Sequence, residues 1–314
     1  MKDYLADCID SVLNQKFKNI EIILINDSTS DPVCEIMRDY WHRYSGCITL
    51  DIKDSNLLCG GARNRGLMLA KGEFISFVDG DDWLDENMFD TMMPYFNNDK
   101  VDMVICDFKE YQSQNNTTCV RPRCSLPEGV FQPYRTGDLF KKTNYAWNAI
   151  FRRSLMDRTG FNFFEKTLYE DLAVHFLFVQ SRLIAYIPFP FYTHRKHDGE
   201  ITNLASSEQH CSIIKVVEML TDIFRKNVNM SKWGQKFNDL LIDYLFHYMH
   251  FLMIRGSVEM NEEILKLCSD TFLQCGGVVP ERLQNGSLID IQLKSPHTAM
   301  ELLVDLKERG KISL

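Results

Sequence analysis

The sequence predicts an α/β fold followed by a region that is mostly helical. Short apolar runs alternate with amphipathic helical patterns over the first 108 of the 314 residues, and acidic residues stand where two of the runs end. Such alternation is typical of a parallel sheet covered by helices on both faces. Beyond about residue 205 the apolar residues recur at helical spacing. We therefore expect a sheet-based domain over residues 1–205, with halves at 1–108 and 109–205, and a helical region over 206–314.

Each element of the first half is predicted from apolar spacing and from the residues that end it. Asp31 and Pro32 are typical of a helix start, because Pro suits the first helical position. Gly60 and Gly61 open another helix. The predicted order is a helix over 3–16, a strand over 20–25, a helix over 31–44, a strand over 47–52, a helix over 60–70, a strand over 73–78, a helix over 85–96 and a strand over 101–108.

The later elements are less regular. The polar stretch over 110–135 predicts a loop or a hairpin. The patterns then predict a helix over 170–180, a strand over 183–187 and helices over 206–227, 235–255, 260–273 and 297–309. The apolar stretch Leu240–Ile254 has acidic and histidine side chains at helical spacing, at Asp239, Asp243, His247 and His250. This pattern favours a buried helix with a polar stripe, and an interfacial membrane helix is the alternative.

Charge and cysteine content argue against several classes of protein. The net charge is −8 and the pI is about 5.5, whereas a general nucleic-acid binder would show a basic face. The ten cysteines include no Cys-x-x-Cys pair, which argues against a zinc ribbon or a thioredoxin-like motif. No signal-peptide pattern is evident, so we expect free thiols in a reducing, cytoplasmic compartment.

The acidic segment Asp79-Gly80-Asp81-Asp82 directly follows the strand predicted over 73–78. Two like charges about 4 Å apart cost about 4 kcal/mol at an effective dielectric of about 20. A divalent cation relieves that cost, and Mg²⁺ commonly uses one or two carboxylates together with substrate phosphates. Asp and Gly also favour turns, so an acidic turn without a ligand is the alternative.

Several short motifs follow one another along the chain. They are Ile25–Asp31 at a strand end, Asn56–Leu67 with Gly60-Gly61-Ala62-Arg63-Asn64 inside it, Ala70–Glu73, Asp79–Leu84, Trp147-Asn148, Arg152–Leu155 and Tyr169–Leu172. This order resembles the family-2 glycosyltransferases with the GT-A fold, especially those that build bacterial surface polysaccharides. The resemblance covers residues 1–205 and implies a GT-A sheet flanked by helices, with residues 206–314 as a helical extension.

The resemblance implies a nucleotide-diphosphate sugar as donor, with UDP as the expected nucleotide, and an inverting transfer. The residues that it assigns to donor binding are Asp27, Asn56, Arg63, Asp79 and Arg195. Asp27 would accept a hydrogen bond from the base, whereas Arg63 and Arg195 would contact the diphosphate. Asp79 and Asp81 would form a DxD motif that holds Mn²⁺ or Mg²⁺. As alternatives, Asp27 is a turn acid, Arg63 packs on the sheet and Arg195 is a solvated loop cation.

The resemblance also implies an acceptor hydroxyl on a glycan or a lipid-linked molecule. Asp171 would remove the proton of that hydroxyl as general base, Glu170 would hydrogen-bond the acceptor, and Trp147 would supply an aromatic platform. A capping pair at a helix start is the alternative for the two acids, and core packing is the alternative for Trp147. A lipid-linked acceptor would place this cytoplasmic protein peripherally at the inner face of the plasma membrane.

Two departures from the family pattern affect these expectations. Ser28 occupies a turn position that usually holds Gly. The chain starts at the first helix, whereas the family begins with an apolar strand, so we expect the first central strand of the sheet to be missing. This expectation motivates a second hypothesis, a non-catalytic relative that binds a nucleotide or a partner. A third hypothesis, an aspartate-nucleophile phosphatase, fits Val78–Asp81 but gives Asp27 and Ala62–Asn64 no role.

Overall fold

The computed structural model describes residues 1–27, 31–53, 56, 58–121, 126–136, 145–248, 251–252, 257–258 and 262–277. These residues form two compact units. The first unit contains residues 1–166 and 170–200, and the second contains 167–169 together with the described residues from Ile201 onward. Ser28 and the helix predicted over 297–309 lie outside the described residues.

The first unit alternates strands with helices, as the sequence predicts. Its described strands are β1 (Ile22–Asn26), β2 (Ile48–Ile52), β3 (Phe74–Ser76), β4 (Trp83–Leu84), β5 (Val101–Gln112), β6 (Thr117–Arg121), β7 (Gly129–Phe131), β8 (Ala149–Arg152) and β9 (Leu183–Lys196). Its described α-helices are α1 (Leu5–Leu13), α2 (Asp31–Arg43), α3 (Leu58–Leu69), α4 (Met88–Met92), α5 (Arg153–Thr159) and α6 (Val174–Gln180). Short 3₁₀ helices cover Met93–Asn97, Pro133–Arg135 and Glu170–Ala173. The α/β class is confirmed.

The described strands form two sheets. β1 and β2 pair in parallel, whereas the other seven strands follow the order β3-β8-β5-β9-β4, with β6 beside β5 and β7 beside β9. In this larger sheet β5 and β9 are parallel, and the other described pairs are antiparallel. The prediction of a parallel sheet is therefore wrong for the larger sheet. Antiparallel neighbours need only short connections, and the hairpin between β5 and β6 is one of them.

The polar stretch after β5 forms this hairpin, which was one of the two predicted alternatives. Its turn contains Asn116 at a φ of 56°, a left-handed conformation that Asn tolerates better than most residues. β9 differs from the prediction, because it continues beyond Ile187 to Lys196, which pairs with Gln112 at the hairpin end of β5. The register with β5 shifts where Pro188 and Pro190 occur, so these residues lie at an irregularity of the ladder where Pro is tolerated.

The second unit is helical, as predicted. Its described helices are α7 (Ile201–Leu204), α8 (Ser207–Asn227), α9 (Met230–Ile242) and α10 (Glu262–Gln274), with a π-helical turn at Asp243–Tyr248. Ser206 and Gln209 cap α8 reciprocally, which explains where this helix begins. Leu240, Leu241 and Leu245 are buried, and this burial favours the interpretation of this stretch as a core helix. Among the described helices we find none with both the length and the apolar character needed to cross a bilayer.

Candidate active site

The acidic loop Asp79–Asp82 connects β3 to β4. The Asp82 amide donates to the Asp79 carbonyl over 3.1 Å, which closes the loop as a tight turn. The Asp79 amide donates to the Tyr192 hydroxyl over 3.2 Å, so β9 holds the loop from the other side. The chain therefore presents its acidic side chains from a turn that its own backbone and a neighbouring strand keep in place.

The Arg63 guanidinium contacts three carboxylates at once. Its Nη2 lies 2.8 Å from Asp79 Oδ1, and its Nη1 lies 3.0 Å from Glu170 Oε1 and 2.7 Å from Asp171 Oδ1. We call these four residues the Arg63 cluster. Arg63 is buried on α3, so these ion pairs are poorly screened by water. The cluster joins the strand-end acid to the two acids that lie more than 90 residues later in the chain.

Gly60 and Asn64 explain why α3 comes so close to the chain that carries the later acids. A Cβ atom on Gly60 would stand 1.9 Å from the carbonyl oxygen of Phe164, so only glycine fits there. One turn later the Asn64 side chain accepts a hydrogen bond from the Phe163 amide over 2.8 Å and donates to the Phe163 carbonyl over 3.0 Å. These contacts hold Arg63 beside Glu170.

Burial makes two acids of the Arg63 cluster, Glu170 and Asp171, harder to ionise. It raises the pKa of Glu170 to about 7; the Arg63 charge opposes this rise and the neighbouring Asp171 charge adds to it. Burial likewise raises the pKa of Asp171, and Arg63 again opposes the rise, aided by the Ala146 amide that donates to Asp171 Oδ1 over 3.3 Å. A carboxylate with a raised pKa is a stronger base than an ordinary one, provided that it stays ionised at the working pH.

Arg195 on β9 lies on the opposite side of the loop. Its Cζ stacks 4.4 Å from the Tyr4 ring centre and 4.5 Å from that of Trp83. Its Nε donates to the Asp81 carbonyl over 2.8 Å, and its Nη2 lies 3.0 Å from Asp7 Oδ2. We call Arg195 with these four partners the Arg195 box. The structure therefore places this guanidinium among rings and a carbonyl oxygen.

Asp82 is almost fully buried beneath the loop. Its Oδ2 accepts a hydrogen bond from the Tyr192 hydroxyl over 2.6 Å, and its Oδ1 accepts one from the Arg195 amide over 2.7 Å. Burial, together with the nearby Asp79 charge, raises its pKa. Both carboxylate oxygens are thus used to hold the loop against β9.

Asp81 is paired with His197, a residue that the sequence analysis does not assign to the site. The His197 Nε2 lies 3.1 Å from Asp81 Oδ2, and its Nδ1 accepts a hydrogen bond from the Gly199 amide over 3.1 Å. Because Nδ1 is the acceptor, the ring proton sits on Nε2 and points to Asp81. The sequence signal for His197 is the local stretch of basic and aromatic residues over 192–197, which also contains Arg195.

Asp27, at the end of β1, lies beside Arg65 and Asn56. Arg65 Nη1 is 3.6 Å from Asp27 Oδ1, and Arg65 Nη2 is 2.6 Å from Asp51 Oδ2 at the end of β2. The Asn56 amide donates to the Asp27 carbonyl over 3.2 Å. Sequence reasoning missed both Arg65 and Asp51. The meeting of two parallel strands at their carboxyl ends was a signal for Asp51, whereas Arg65 comes from α3.

Trp147 does not form the open platform that the sequence analysis predicts. Only 4% of this residue is exposed, because its ring stacks on Tyr145 at 4.3 Å and on Tyr192 at 4.4 Å between ring centres. Phe108 contacts it edge-on at 4.9 Å. Both faces are covered, so the core-packing alternative fits this residue.

The predicted metal ligands Asp79 and Asp81 are brought to one loop, and each has one carboxylate oxygen paired with a basic side chain. Among the described residues there is no group of three or more His, Cys, Asp or Glu residues arranged to hold a metal ion. Two carboxylates nevertheless fit Mg²⁺ or Mn²⁺ in number and kind, because such ions commonly take their remaining ligands from substrate phosphates and water.

Solved structures share this architecture. The Staphylococcus aureus protein TarS (residues 1–349), solved in complex with UDP-GlcNAc, aligns with a TM-score of 0.69 at 17% identity over 99% of this chain and 90% of that one. The mannosyltransferase PcManGT from Pyrobaculum calidifontis, in complex with GDP-Man and Mn²⁺, aligns with a TM-score of 0.50 at 13% identity over 99% and 84% of the two chains. At these identities the likeness shows the fold.

Sequence comparison shows the family. The chain is 29% identical over 211 residues to the uncharacterized glycosyltransferase EpsJ of Bacillus subtilis, and this match covers 65% of the chain and 60% of EpsJ. The chain thus spans somewhat under two thirds of that relative. The model of the family described as Glycosyl transferase family 2 matches residues 2–160, which is half of the chain. The protein belongs to glycosyl transferase family 2.

Proposed function

We propose that the protein transfers a sugar from a nucleotide-diphosphate donor to a hydroxyl of a glycan or lipid-linked acceptor. The observation that supports this best is the Arg63 cluster. It places an acid of the strand-end loop and a buried acid with a raised pKa on the same guanidinium. A displacement at the anomeric carbon requires a base for the acceptor proton and neutralisation of the leaving diphosphate; Asp171 would supply the first, and Asp79 would supply the second by holding a cation.

Asp171 is the general base in this proposal. Its carboxylate removes the proton of the acceptor hydroxyl while that oxygen forms a bond to the anomeric carbon. The bond from the anomeric carbon to the phosphate oxygen breaks in the same step, and the nucleoside diphosphate leaves with the electron pair. A single displacement of this kind inverts the anomeric carbon. Glu170, which shares Arg63 Nη1 with Asp171, hydrogen-bonds the acceptor.

In this proposal Arg63 forms ion pairs with the three carboxylates of its cluster. In place of the diphosphate contact expected for it, we infer that its charge keeps Asp171 ionised despite burial. The Arg195 box likewise holds its guanidinium against the loop backbone, so we assign Arg195 to loop positioning. Neutralising the negative charge of the leaving diphosphate would then be the role of a divalent cation.

Asp79 and Asp81 would hold Mn²⁺ or Mg²⁺, which supplies charge neutralisation for the departing diphosphate. The Mn²⁺ in the PcManGT complex supports this choice of cation. The UDP-GlcNAc in the TarS complex supports a UDP-linked donor, with Asp27 and Asn56 near the base. We place the protein in the cytoplasm, peripheral to the membrane where the acceptor is lipid-linked.

A donor screen by thermal shift tests this proposal. We expect one UDP-sugar to raise the midpoint of thermal unfolding when Mn²⁺ is supplied and to have a much smaller effect in EDTA. Release of UDP in the presence of a glycan acceptor then reports turnover. Binding without turnover over a broad acceptor panel would support the non-catalytic hypothesis, and no binding of any nucleotide sugar would reject both.

A further inference from the structure

The segment Ala146–Asn148, directly before β8, is anchored in the core of the first unit. The Asn148 side chain donates to the Cys106 carbonyl over 2.8 Å, and the Asn148 carbonyl accepts from the Cys106 amide over 3.0 Å. Each of the three residues is 4% exposed or less. The Ala146 amide donates to Asp171 Oδ1 over 3.3 Å. A backbone group of a core-anchored segment thus holds the carboxylate that we assign as general base.

Trp147, in the middle of this segment, is the central ring of a stack of three. Its ring centre lies 4.3 Å from that of Tyr145 and 4.4 Å from that of Tyr192, and the ring planes meet at 13° and 26°. Phe108 lies against its edge at 4.9 Å and 88°. Because a closely packed interior leaves a large ring little room to move, these contacts fix the position of the Trp147 ring.

The Tyr192 hydroxyl connects this stack to the acidic loop. It accepts a hydrogen bond from the Asp79 amide over 3.2 Å and donates one to Asp82 Oδ2 over 2.6 Å. Tyr192 is fully buried and therefore binds the backbone at the start of the loop and a side chain at its end. We call Ala146, Trp147 and Tyr192 the core link, because together they reach from Asp171 to the loop.

Two connections therefore join Asp79 to Asp171. One is electrostatic, because the Arg63 guanidinium contacts both carboxylates at 2.7–2.8 Å. The other is the core link. The first depends on charge, so a cation or a diphosphate that binds at Asp79 changes its strength. The second depends on ring packing and on hydrogen bonds from backbone amides, which need no net charge on the loop.

We propose that the core link fixes the position of the acidic loop relative to Asp171, with Trp147 and Tyr192 as positioning residues for sugar transfer. This inference rests on the proposed function, because it concerns the placement of the donor side against the base. A direct displacement needs the base, the acceptor oxygen and the anomeric carbon in line, and small displacements of such groups slow the reaction strongly. Side chains locked by packing and by hydrogen bonds keep such groups within a narrow range of positions.

Three single variants test the proposal. Trp147→Phe keeps an aromatic ring but leaves part of the space beside Tyr192 unfilled. Tyr192→Phe removes only the hydroxyl that binds the loop. The matched control is Tyr186→Phe, because Tyr186 lies earlier on the same strand, is 2% exposed and donates to Asp107 Oδ1 over 2.8 Å. The control therefore loses a comparable buried bond from a tyrosine to an aspartate.

The first measurement needs no ligand. Amide hydrogen exchange is followed at Asp79 and Ala146, with the Ile105 amide inside β5 as the reference for overall opening. Calorimetry then measures the binding of UDP in the presence of Mn²⁺, and turnover gives kcat together with KM for the acceptor. The thermal midpoint of each variant reports its stability.

In Trp147→Phe we expect exchange at both Asp79 and Ala146 to quicken by about tenfold relative to Ile105, because both amides depend on the position of this ring. Tyr192→Phe should weaken UDP binding and lower kcat by about tenfold each, with KM for the acceptor unchanged. Tyr186→Phe should lower the thermal midpoint alone. A split of this kind distinguishes positioning from a loss of stability.

Faster exchange at only one of the two amides, or an equal change at Ile105, would overturn the proposal, because the ring would then act locally or through overall stability. Equal effects of Tyr192→Phe and Tyr186→Phe on kcat and UDP binding would overturn it as well. Failure of the proposed function has a different signature. The unchanged protein would bind no nucleotide sugar while both amides still responded to Trp147→Phe, which would uphold the core link and reject sugar transfer.

Discussion

Two arginines flank the acidic loop, and their surroundings differ. Arg63 faces three carboxylates, those of Asp79, Glu170 and Asp171, at 2.7–3.0 Å. Arg195 faces the rings of Tyr4 and Trp83, and it donates to a backbone carbonyl. Both guanidinium groups are buried, but only the first lies among several groups that can gain or lose a proton.

This difference indicates different roles for the two arginines: Arg63 affects the ionisation of the acids, whereas Arg195 holds the loop in place. The Arg63 guanidinium affects how readily Glu170 and Asp171 ionise, because its charge opposes the cost of their burial. A guanidinium between aromatic rings and a carbonyl gains from stacking and hydrogen bonding that do not change with pH. We therefore expect changes in the Arg63 cluster to alter transfer and its pH dependence, and changes of the Arg195 side chain itself to alter stability alone.

The largest effect is expected from Asp171→Asn. The amide cannot take up the acceptor proton, so the rate of sugar transfer should fall by about 10²–10⁴-fold, the usual contribution of a general base. Donor affinity should stay close to that of the unchanged protein, because the variant keeps the shape of the side chain. Turnover and calorimetric binding of the donor measure the two effects separately.

Asp157→Asn is the matched control for this variant. Asp157 is an exposed acid on α5 that contacts Arg153 at 3.8 Å. Its replacement should leave transfer unchanged. If Asp171→Asn transfers sugar as fast as the control, Asp171 is not the base and the chemistry does not depend on the Arg63 cluster.

Arg63→Ala should produce the next largest effect. Three carboxylates, of which that of Glu170 is buried, lose their shared partner, and breaking a buried ion pair typically lowers the free energy of unfolding by about 3–5 kcal/mol. The pKa of Asp171 should rise further, so the acidic limb of the pH–rate profile should move to higher pH in any protein that remains folded. Urea unfolding and the pH–rate profile measure these changes.

Arg63→Lys and Arg153→Ala complete this test. Lysine keeps the charge but lacks the fork that reaches several carboxylates, so its effects should lie between those of the unchanged protein and Arg63→Ala. Arg153 is half-exposed, and its loss should change stability by no more than about 0.5 kcal/mol. A pH–rate profile that stays in place in Arg63→Lys and Arg63→Ala would contradict the role assigned to the cluster.

Much of the site's framework follows from the sequence. Apolar runs that stop at Asp27 and at Asp79 mark strand ends, and the acidic loop after β3 is evident from its composition alone. Local rules of this kind operate over a few residues, so a single sequence expresses them directly. The order of helices and strands in the first 108 residues was predictable for the same reason, except for the short strand β4, with element boundaries that differ by a few residues.

Local patterns did not predict which residues contact one another when they lie far apart in the sequence. Arg63 lies 107 and 108 residues from the acids that it binds, and its position beside two glycines is equally compatible with a phosphate contact. Trp147 is a hydrophobic ring with a polar edge, so only the packing of Tyr145 and Tyr192 decides that it lies in the core. Whether two strands pair in parallel or antiparallel likewise depends on how the chain connects them, and local patterns do not determine this.

A smaller effect is expected from Glu170→Gln, and it depends on pH. The folded-state pKa of Glu170, about 7, lies above its ordinary value of 4.5. Below pH 4.5 the folded and unfolded states both hold the proton, so the variant should match the unchanged protein. As pH rises through 7, the unchanged protein should lose roughly 3 kcal/mol that the glutamine variant keeps. Urea unfolding at pH 4.5 and pH 8 measures the difference. A gain of equal size at both pH values would contradict an ionisation effect.

The smallest effect is expected from Arg195→Lys, and it completes the comparison of the two arginines. The ammonium group can still approach Asp7, but it stacks less well on Tyr4 and Trp83 than the planar guanidinium does. The free energy of unfolding should fall by about 1–2 kcal/mol at every pH between 5 and 8, since the lost interaction is stacking on aromatic rings. The acidic limb of the pH–rate profile should stay where it is in the unchanged protein. A shifted limb would mean that the Arg195 box also controls the ionisation of the catalytic acids, so that the two arginines act as one charge system.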